Sequence, residues 1–159
     1  VGAEGYEDLK HRVDELAELY DTESAEIDRL LRRYGDEATT VHDLAASEPV
    51  LAERIPSGKY LGAEVLFAVE HEAALHLDDV LTRRTRLSIE CEDRGVAGSP
   101  YVAKIMAYAL GWDDATIRRE LDHYTARVEA ELESQMMPDD HTADAARLGA
   151  PDIRTMGSE

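Results

Sequence analysis

The sequence predicts an all-α protein, on three observations. Apolar residues recur at three- and four-residue steps through most of the chain, the period of one helical face. Residues suited to helix ends punctuate those stretches, with Gly35 and Gly111 at expected stops and Ser99-Pro100 at an expected start. No stretch carries a convincing strand pattern, and no solenoid-type repeat is visible. About six to seven helices in an orthogonal or irregular bundle are expected, followed by a flexible C-terminal tail.

Tyr6, Leu9, Val13, Leu16 and Tyr20 predict a first helix over 6–20. Asp21–Thr22 offers cap chemistry for a second, whose face is Ile27, Leu30, Leu31 and Tyr34 and whose end is Gly35. A short helix over 37–46 follows, and Pro56-Ser57-Gly58-Lys59 is the clearest internal loop. Val65, Leu66, Val69 and Ala73 form one stripe; Leu77, Val80, Leu81, Leu87 and Cys91 form another. The two are out of phase on one straight rod, so a break near 73–76 is expected. Ser99 is expected to cap a helix with Val102, Ile105, Met106 and Ala109 inside, and Asp113 or Asp114 to cap the last long one. That last face is Ile117, Leu121, Tyr124, Val128 and Leu132. Beyond Pro138 the pattern dissolves, so residues 1–137 read as one helical domain and 138–159 as a mobile tail.

Composition excludes several classes. Thirty-five acids against seventeen Lys and Arg give a net charge of −18. A nucleic-acid or anionic-membrane surface needs a basic footprint, which this balance argues against. The single cysteine, Cys91, allows no intrachain disulfide and no cysteine-based zinc site, so a cytosolic redox environment is the expectation. No apolar run approaches the ~20 residues that span a bilayer. The opening VGAEGY has no initiator methionine and reads as either processed or cut from a longer chain.

Against that acidity, the stretch DDVLTRRTRL (78–87) is conspicuous. On a helix over 77–91, Arg84 falls near the centre of the apolar arc formed by Leu77, Val80, Leu81, Leu87, Ser88 and Cys91. Arg83 lies at its edge, one turn after Asp79, and Arg86 points away. A guanidinium stays charged when buried, so Arg84 needs an anion or a set of carbonyls. A carboxylate of this domain (Glu64, Glu70 or Glu72) would serve; so would another domain or a bound phosphate. Arg83, Arg84 and Arg86 are therefore the candidate interdomain or anion contacts.

Glu120 and His123 form one Glu-x-x-His element, which di-iron bundles use in pairs. One copy flanking an apolar stripe leaves metal binding as an alternative, and no metal site is the expectation. Cys91 sits among Glu90, Glu92 and Asp93, the reverse of the electropositive setting that activates a thiol. No glycine-rich phosphate loop and no calcium-binding loop are present.

Two blocks, 64–95 (EVLFAVEHEAALHLDDVLTRRTRLSIECEDRG) and 102–121 (VAKIMAYALGWDDATIRREL), resemble the C-terminal domain of FAD-dependent glycerol-3-phosphate dehydrogenases and the related alpha-glycerophosphate oxidases. The resemblance is carried by Glu72, then Asp79, Val80, Leu81, Arg83, Arg84, Thr85, Arg86 and Leu87, then Leu110-Gly111-Trp112. LLRRYGDEA (30–38) adds to it, and the similarity spans roughly residues 1–137.

That resemblance implies a non-catalytic helical cap of an enzyme that oxidises sn-glycerol 3-phosphate to dihydroxyacetone phosphate. The enzyme would pass electrons through FAD to quinone or oxygen. The FAD and substrate domain of the same polypeptide would be the partner, with no nucleic acid involved. Localisation would be cytoplasmic, with peripheral contact on the inner face of the plasma membrane through the parent enzyme. No family catalytic or cofactor-binding motif lies in this chain, so no such residue is carried over and no cofactor is expected in it. The alternative is a stand-alone acidic helical module for metal or protein binding.

Overall fold

The computed structural model describes residues 5–149 and 153. Helices follow one another throughout: α1 (Tyr6–Lys10), α2 (Val13–Leu19), α3 (Ser24–Tyr34), α4 (Ala38–Ser47), α5 (Pro49–Ala52), α6 (Gly62–Glu72), α7 (Leu87–Glu90), α8 (Ser99–Leu110), α9 (Asp114–Gln135) and α10 (Asp140–Leu148). A 3-10 turn (Gly35–Glu37) joins α3 to α4, and a π-helical turn (Asp79–Arg84) precedes α7. An isolated antiparallel β-bridge between Arg54 and Leu61 closes the Pro56–Lys59 loop.

Helix α6 is the centre of the fold. Every residue from Gly62 to Ala68 is buried, and α4, α5 and α8 pack around it. A stretch buried on every side has to be enclosed by neighbours, and the one charge in it, Glu64, is paired inside by Arg29 at 2.6 Å. Phe67 meets the Tyr34 ring edge-on at 5.1 Å, joining α6 to α3. Ile27, Leu30 and Leu31 fill the same core from α3, each buried side chain stabilising by roughly 1.5–3 kcal/mol. Tyr124 and Val128 bring α9 in, and the Tyr124 hydroxyl donates to the Arg94 carbonyl at 2.6 Å.

Several expectations hold and several are corrected. The break between the two apolar stripes is real: α6 ends at Glu72, and Ala73 takes a left-handed backbone (φ 54°). Asp113 caps α9, its carboxylate accepting from the Thr116 amide at 2.7 Å. The first helix is two, not one. The chain turns at His11–Arg12, where the Arg12 amide bonds back to Leu9 instead of continuing the ladder, and α1 then reaches α3 and the 3-10 turn. Asp21 does not cap α3; it adopts φ 50°, and Glu23 takes the cap position in extended backbone. Ser99 is the first residue of α8 rather than its cap, its hydroxyl donating to the Val96 carbonyl at 2.8 Å.

The C-terminal stretch that read as patternless is helical over α10, which lies along α9. Part of its contact is polar: Arg147 Nε donates to Ser134 Oγ at 3.2 Å. Ile153 is buried, its amide donating to His123 Nε2 at 3.1 Å. Residues 154–159 of the expected mobile tail lie outside the described residues.

Candidate functional site

The R-R-T-R-L block is not part of one α-helix over 77–91, and this changes the role of each arginine. The Thr85 amide bonds to the carbonyl of Val80, five residues back, at 2.8 Å, and the Thr85 hydroxyl donates to the same oxygen at 2.8 Å. A five-residue step widens the turn and shifts the phase. Thr85, not Arg84, takes the fully buried polar position of the block. Arg86 then turns left-handed (φ 58°) and starts α7.

Arg84 is only half-buried and finds its anion within the domain. Its Nη2 donates to the backbone carbonyl of Glu72 at 2.8 Å, and Nε lies 3.5 Å from the Glu72 carboxylate. That carbonyl belongs to the last residue of α6, so Arg84 closes the C-terminus of the central helix. There an orphan carbonyl and the negative end of the helix dipole both favour a cation. Arg83 pairs with Asp79 one turn earlier and lies 3.4 Å from Asp78. Asp79 also accepts from the Leu75 and His76 amides at 3.1 Å each, and these bonds together with Arg83 hold its carboxyl below the usual range against the opposing effect of burial. Arg86 is exposed and makes no ion pair among the described residues.

Glu120 and His123 are not a pair. Glu120 is buried, contrary to the expectation that it flanks the stripe, and accepts from the Leu77 amide at 3.1 Å. It also lies 2.8 Å from His76 Nδ1; a carboxylate only accepts, so that nitrogen carries the proton. His123 points instead to Ile153. Among the described residues no group of three or more His, Cys, Asp and Glu is placed to hold a metal ion. The Cys91 thiol is pushed up by burial and by Asp93 and Glu90, and it donates to the Ser57 carbonyl at 3.1 Å.

A second basic cluster was not singled out from the sequence. Arg29, Arg32 and Arg33 of α3, Lys59 of the loop and Arg86 converge on a surface depression of about 330 Å³ around Tyr60. The Arg29 and Arg33 guanidinium carbons lie 5.6 and 5.2 Å from the centre of the Tyr60 ring, and Lys59 Nζ lies 5.6 Å away. Arg29 is largely committed, gripping Glu64 and Glu26. Arg33 donates to the Tyr34 hydroxyl at 3.0 Å and stands 3.7 Å from Glu64. Glu90 is the acid in the wall; it accepts from the Tyr60 hydroxyl at 3.1 Å and pairs with Lys59 at 3.2 Å. Burial first, then Glu90, pushes the Tyr60 hydroxyl up to about 12. The available signal was the spacing of Arg29, Arg32 and Arg33, which shares one helical face. The convergence with Lys59 and Arg86 is tertiary.

No helix among the described residues is long and apolar enough to cross a membrane. Residues 1–117 match the family model of the C-terminal domain of alpha-glycerophosphate oxidase. A glycerol-3-phosphate dehydrogenase of Mycobacterium leprae is 45% identical over 156 residues, covering 98% of this chain and 27% of that protein. Glycerol-3-phosphate dehydrogenase 2 of Mycobacterium tuberculosis is 43% identical over 155 residues, covering 97% of this chain and 26% of that protein. The mitochondrial glycerol-3-phosphate dehydrogenase of Bos taurus is 31% identical over 117 residues, 70% of this chain and 16% of that protein. The chain thus spans about a quarter of the length of the bacterial relatives it matches. No solved structure matches it. With the helical fold and the R-R-T-R-L turn in place, the match over most of its length makes this chain a member of the family of the alpha-glycerophosphate oxidase C-terminal domain, whose curated relatives are glycerol-3-phosphate dehydrogenases.

Proposed function

We propose that this chain serves as the non-catalytic C-terminal cap of a flavoprotein that oxidises sn-glycerol 3-phosphate to dihydroxyacetone phosphate, with electrons passing through FAD to quinone or oxygen. The observation that carries the reading is the extent of the match, 98% of this chain against 27% of a glycerol-3-phosphate dehydrogenase. The described residues do not supply the usual dinucleotide site for FAD. A dinucleotide site of the usual kind sets a glycine-rich turn between a strand and a helix, and the described residues form no strand for such a turn to follow. Flavin binding and the redox step are therefore assigned to another part of the enzyme.

The cap packs against the FAD and substrate domain of the same polypeptide, and any membrane contact is peripheral and made by the whole enzyme. The docking face is the turn after α6. Leu75 is 56% exposed there, and its amide bonds to the same Asp79 that pairs with Arg83. An apolar side chain beside fixed charges suits a polar-rimmed interdomain contact. Arg84 supports this face from behind by closing α6.

The test uses the full-length enzyme. Leu75→Glu is expected to leave the melting of the isolated chain nearly unchanged while lowering domain cooperativity, flavin retention or glycerol-3-phosphate-dependent dye reduction in the whole enzyme. A full-length enzyme with this chain deleted that keeps its flavin, KM and kcat would overturn the cap reading. Dye reduction by the isolated chain would also overturn it.

A further inference from the structure

The basic depression around Tyr60 has no part in the cap reading, and it is the place where the charge of this molecule is least explained. Arg33 and Lys59 both sit within 6 Å of one ring centre, alongside Arg29, in a chain of net charge −18. Arg29 has two carboxylates of its own. Arg33 has a phenol oxygen and one acid at 3.7 Å, and Arg86, exposed and without an ion pair among the described residues, adds a further positive charge to the same wall. Arg32 is 72% exposed and pairs with Asp28 one turn before it. Like charges gathered this closely repel one another, and an anion set among them relieves that repulsion.

We propose that the depression bounded by Arg33, Lys59 and Arg86 is a binding site for a phosphate group. Guanidinium forks match the oxygens of a tetrahedral oxyanion in bidentate geometry, and Lys59, held by Glu90 at 3.2 Å, adds a fixed point charge. The cations converge on one hollow of about 330 Å³, at the lower end of small-molecule site volumes. Arg86 lines this wall from the residue before α7, where its φ of 58° is a conformation that non-glycine residues adopt rarely. Glu90 holds Lys59 and the Tyr60 hydroxyl in place, so the floor is fixed before any ligand arrives. The site rests on these residues alone, and stands whether or not the chain caps a flavin domain.

The same phosphate chemistry is offered by a free phosphate, a soluble phosphate monoester and a lipid headgroup. The 159-residue chain is titrated with inorganic phosphate at constant ionic strength, and amide shifts and thermal melting are followed. Parallel arms use phenyl phosphate, and vesicles of phosphatidylcholine with and without phosphatidate. Saturable shifts around Lys59, Tyr60 and Arg86 and a phosphate-dependent rise in melting temperature are expected. Arg86→Gln, whose ligand-free melting should not fall below the parent's because no ion pair among the described residues is lost, is expected to weaken binding about tenfold. Arg33→Lys should retain more affinity than Arg33→Gln. Binding confined to phosphatidate vesicles but lost in Arg86→Gln identifies a lipid source and supports the site. Linear shifts that never saturate overturn it, as do shifts elsewhere on the surface or binding indifferent to Arg86→Gln. Binding of an acidic peptide without binding of phosphate in any arm overturns it as well.

Discussion

Arg29 holds the buried Glu64 through both terminal nitrogens, at 3.1 and 2.6 Å, and so ties α3 to the first turn of the central helix α6. Glu64 has no exposed surface and satisfies its remaining capacity with the Tyr34 hydroxyl at 3.0 Å and the Leu61 amide at 2.9 Å. Glu26, on the other side of Arg29, is shared with Arg54 at 2.9 Å. Burial alone would disfavour the Arg29 charge, but Glu64 and Glu26 outweigh it and raise the guanidinium above its ordinary value.

The first prediction follows from that asymmetry. Arg29→Met leaves Glu64 buried and short of two donors, and removing one partner of a buried pair costs about 3–5 kcal/mol. Chemical unfolding should show a loss of that size. Adding Glu64→Gln to Arg29→Met removes the stranded charge, so the double variant should be more stable than the sum of the single losses implies. Additive losses would mean that the two residues are not coupled.

Arg84→Met tests the closure of α6. It keeps bulk while removing the donor to the Glu72 carbonyl and the cation at the helix end. Arg84 is about one-third exposed, so solvent screens part of the effect, and a loss of about 1 kcal/mol is expected. Hydrogen exchange should quicken in the last turn of α6 in the isolated chain. Unchanged stability and exchange would remove the capping role.

Much of the helical architecture is legible in the sequence because helical period, glycine stops and acidic caps are local signals. Gly111 and Asp113 are read correctly for that reason: each acts within a few residues of itself. The R-R-T-R-L turn is misread because a wheel at 100° per residue assumes an α-helical ladder. Thr85 breaks that ladder by bonding twice to Val80, which only its buried setting reveals. Glu120 is missed as a buried acceptor since its donors lie 43 and 44 residues away. The basic depression is missed for the same reason, as α3, Lys59 and Arg86 meet only once the chain is folded.

His42 predicts a pH dependence. It is 5% exposed, stacks on Tyr20 at 4.6 Å between ring centres, and its Nε2 has no hydrogen-bond partner. Burial lowers its pKa, Glu26 and Asp43 oppose that, and Arg29 adds to it. The unfolded chain therefore takes up the imidazole proton at a higher pH than the folded chain does. The His42 contribution is complete above the unfolded value near 6.5 and is lost as pH falls through that value toward the lower folded one. His42→Phe retains the stacking and removes the titration. The melting difference between variant and parent should be small at pH 8 and should favour the variant increasingly below pH 6.5. A difference independent of pH would rule out this linkage.

Ala73 and Ala74 make opposite predictions for the same substitution. Ala73 is exposed and left-handed at φ 54°, just past the last residue of α6, a position where glycine avoids a steric penalty of ~1–2 kcal/mol. Glycine also loosens the unfolded chain by ~0.4–1 kcal/mol, so Ala73→Gly should stabilise by about 0.5–1 kcal/mol. Ala74 is fully buried, with its amide bonded to the Ala68 carbonyl at 3.0 Å. Ala74→Gly loses one buried methyl, ~0.8 kcal/mol, in addition to the same entropy, and should destabilise by more than 1 kcal/mol. Urea unfolding of the two variants side by side reads both signs in one experiment. Destabilisation by Ala73→Gly would mean that the chain does not turn left-handed after α6, and the placement of the whole R-R-T-R-L turn against Glu72 would fall with it.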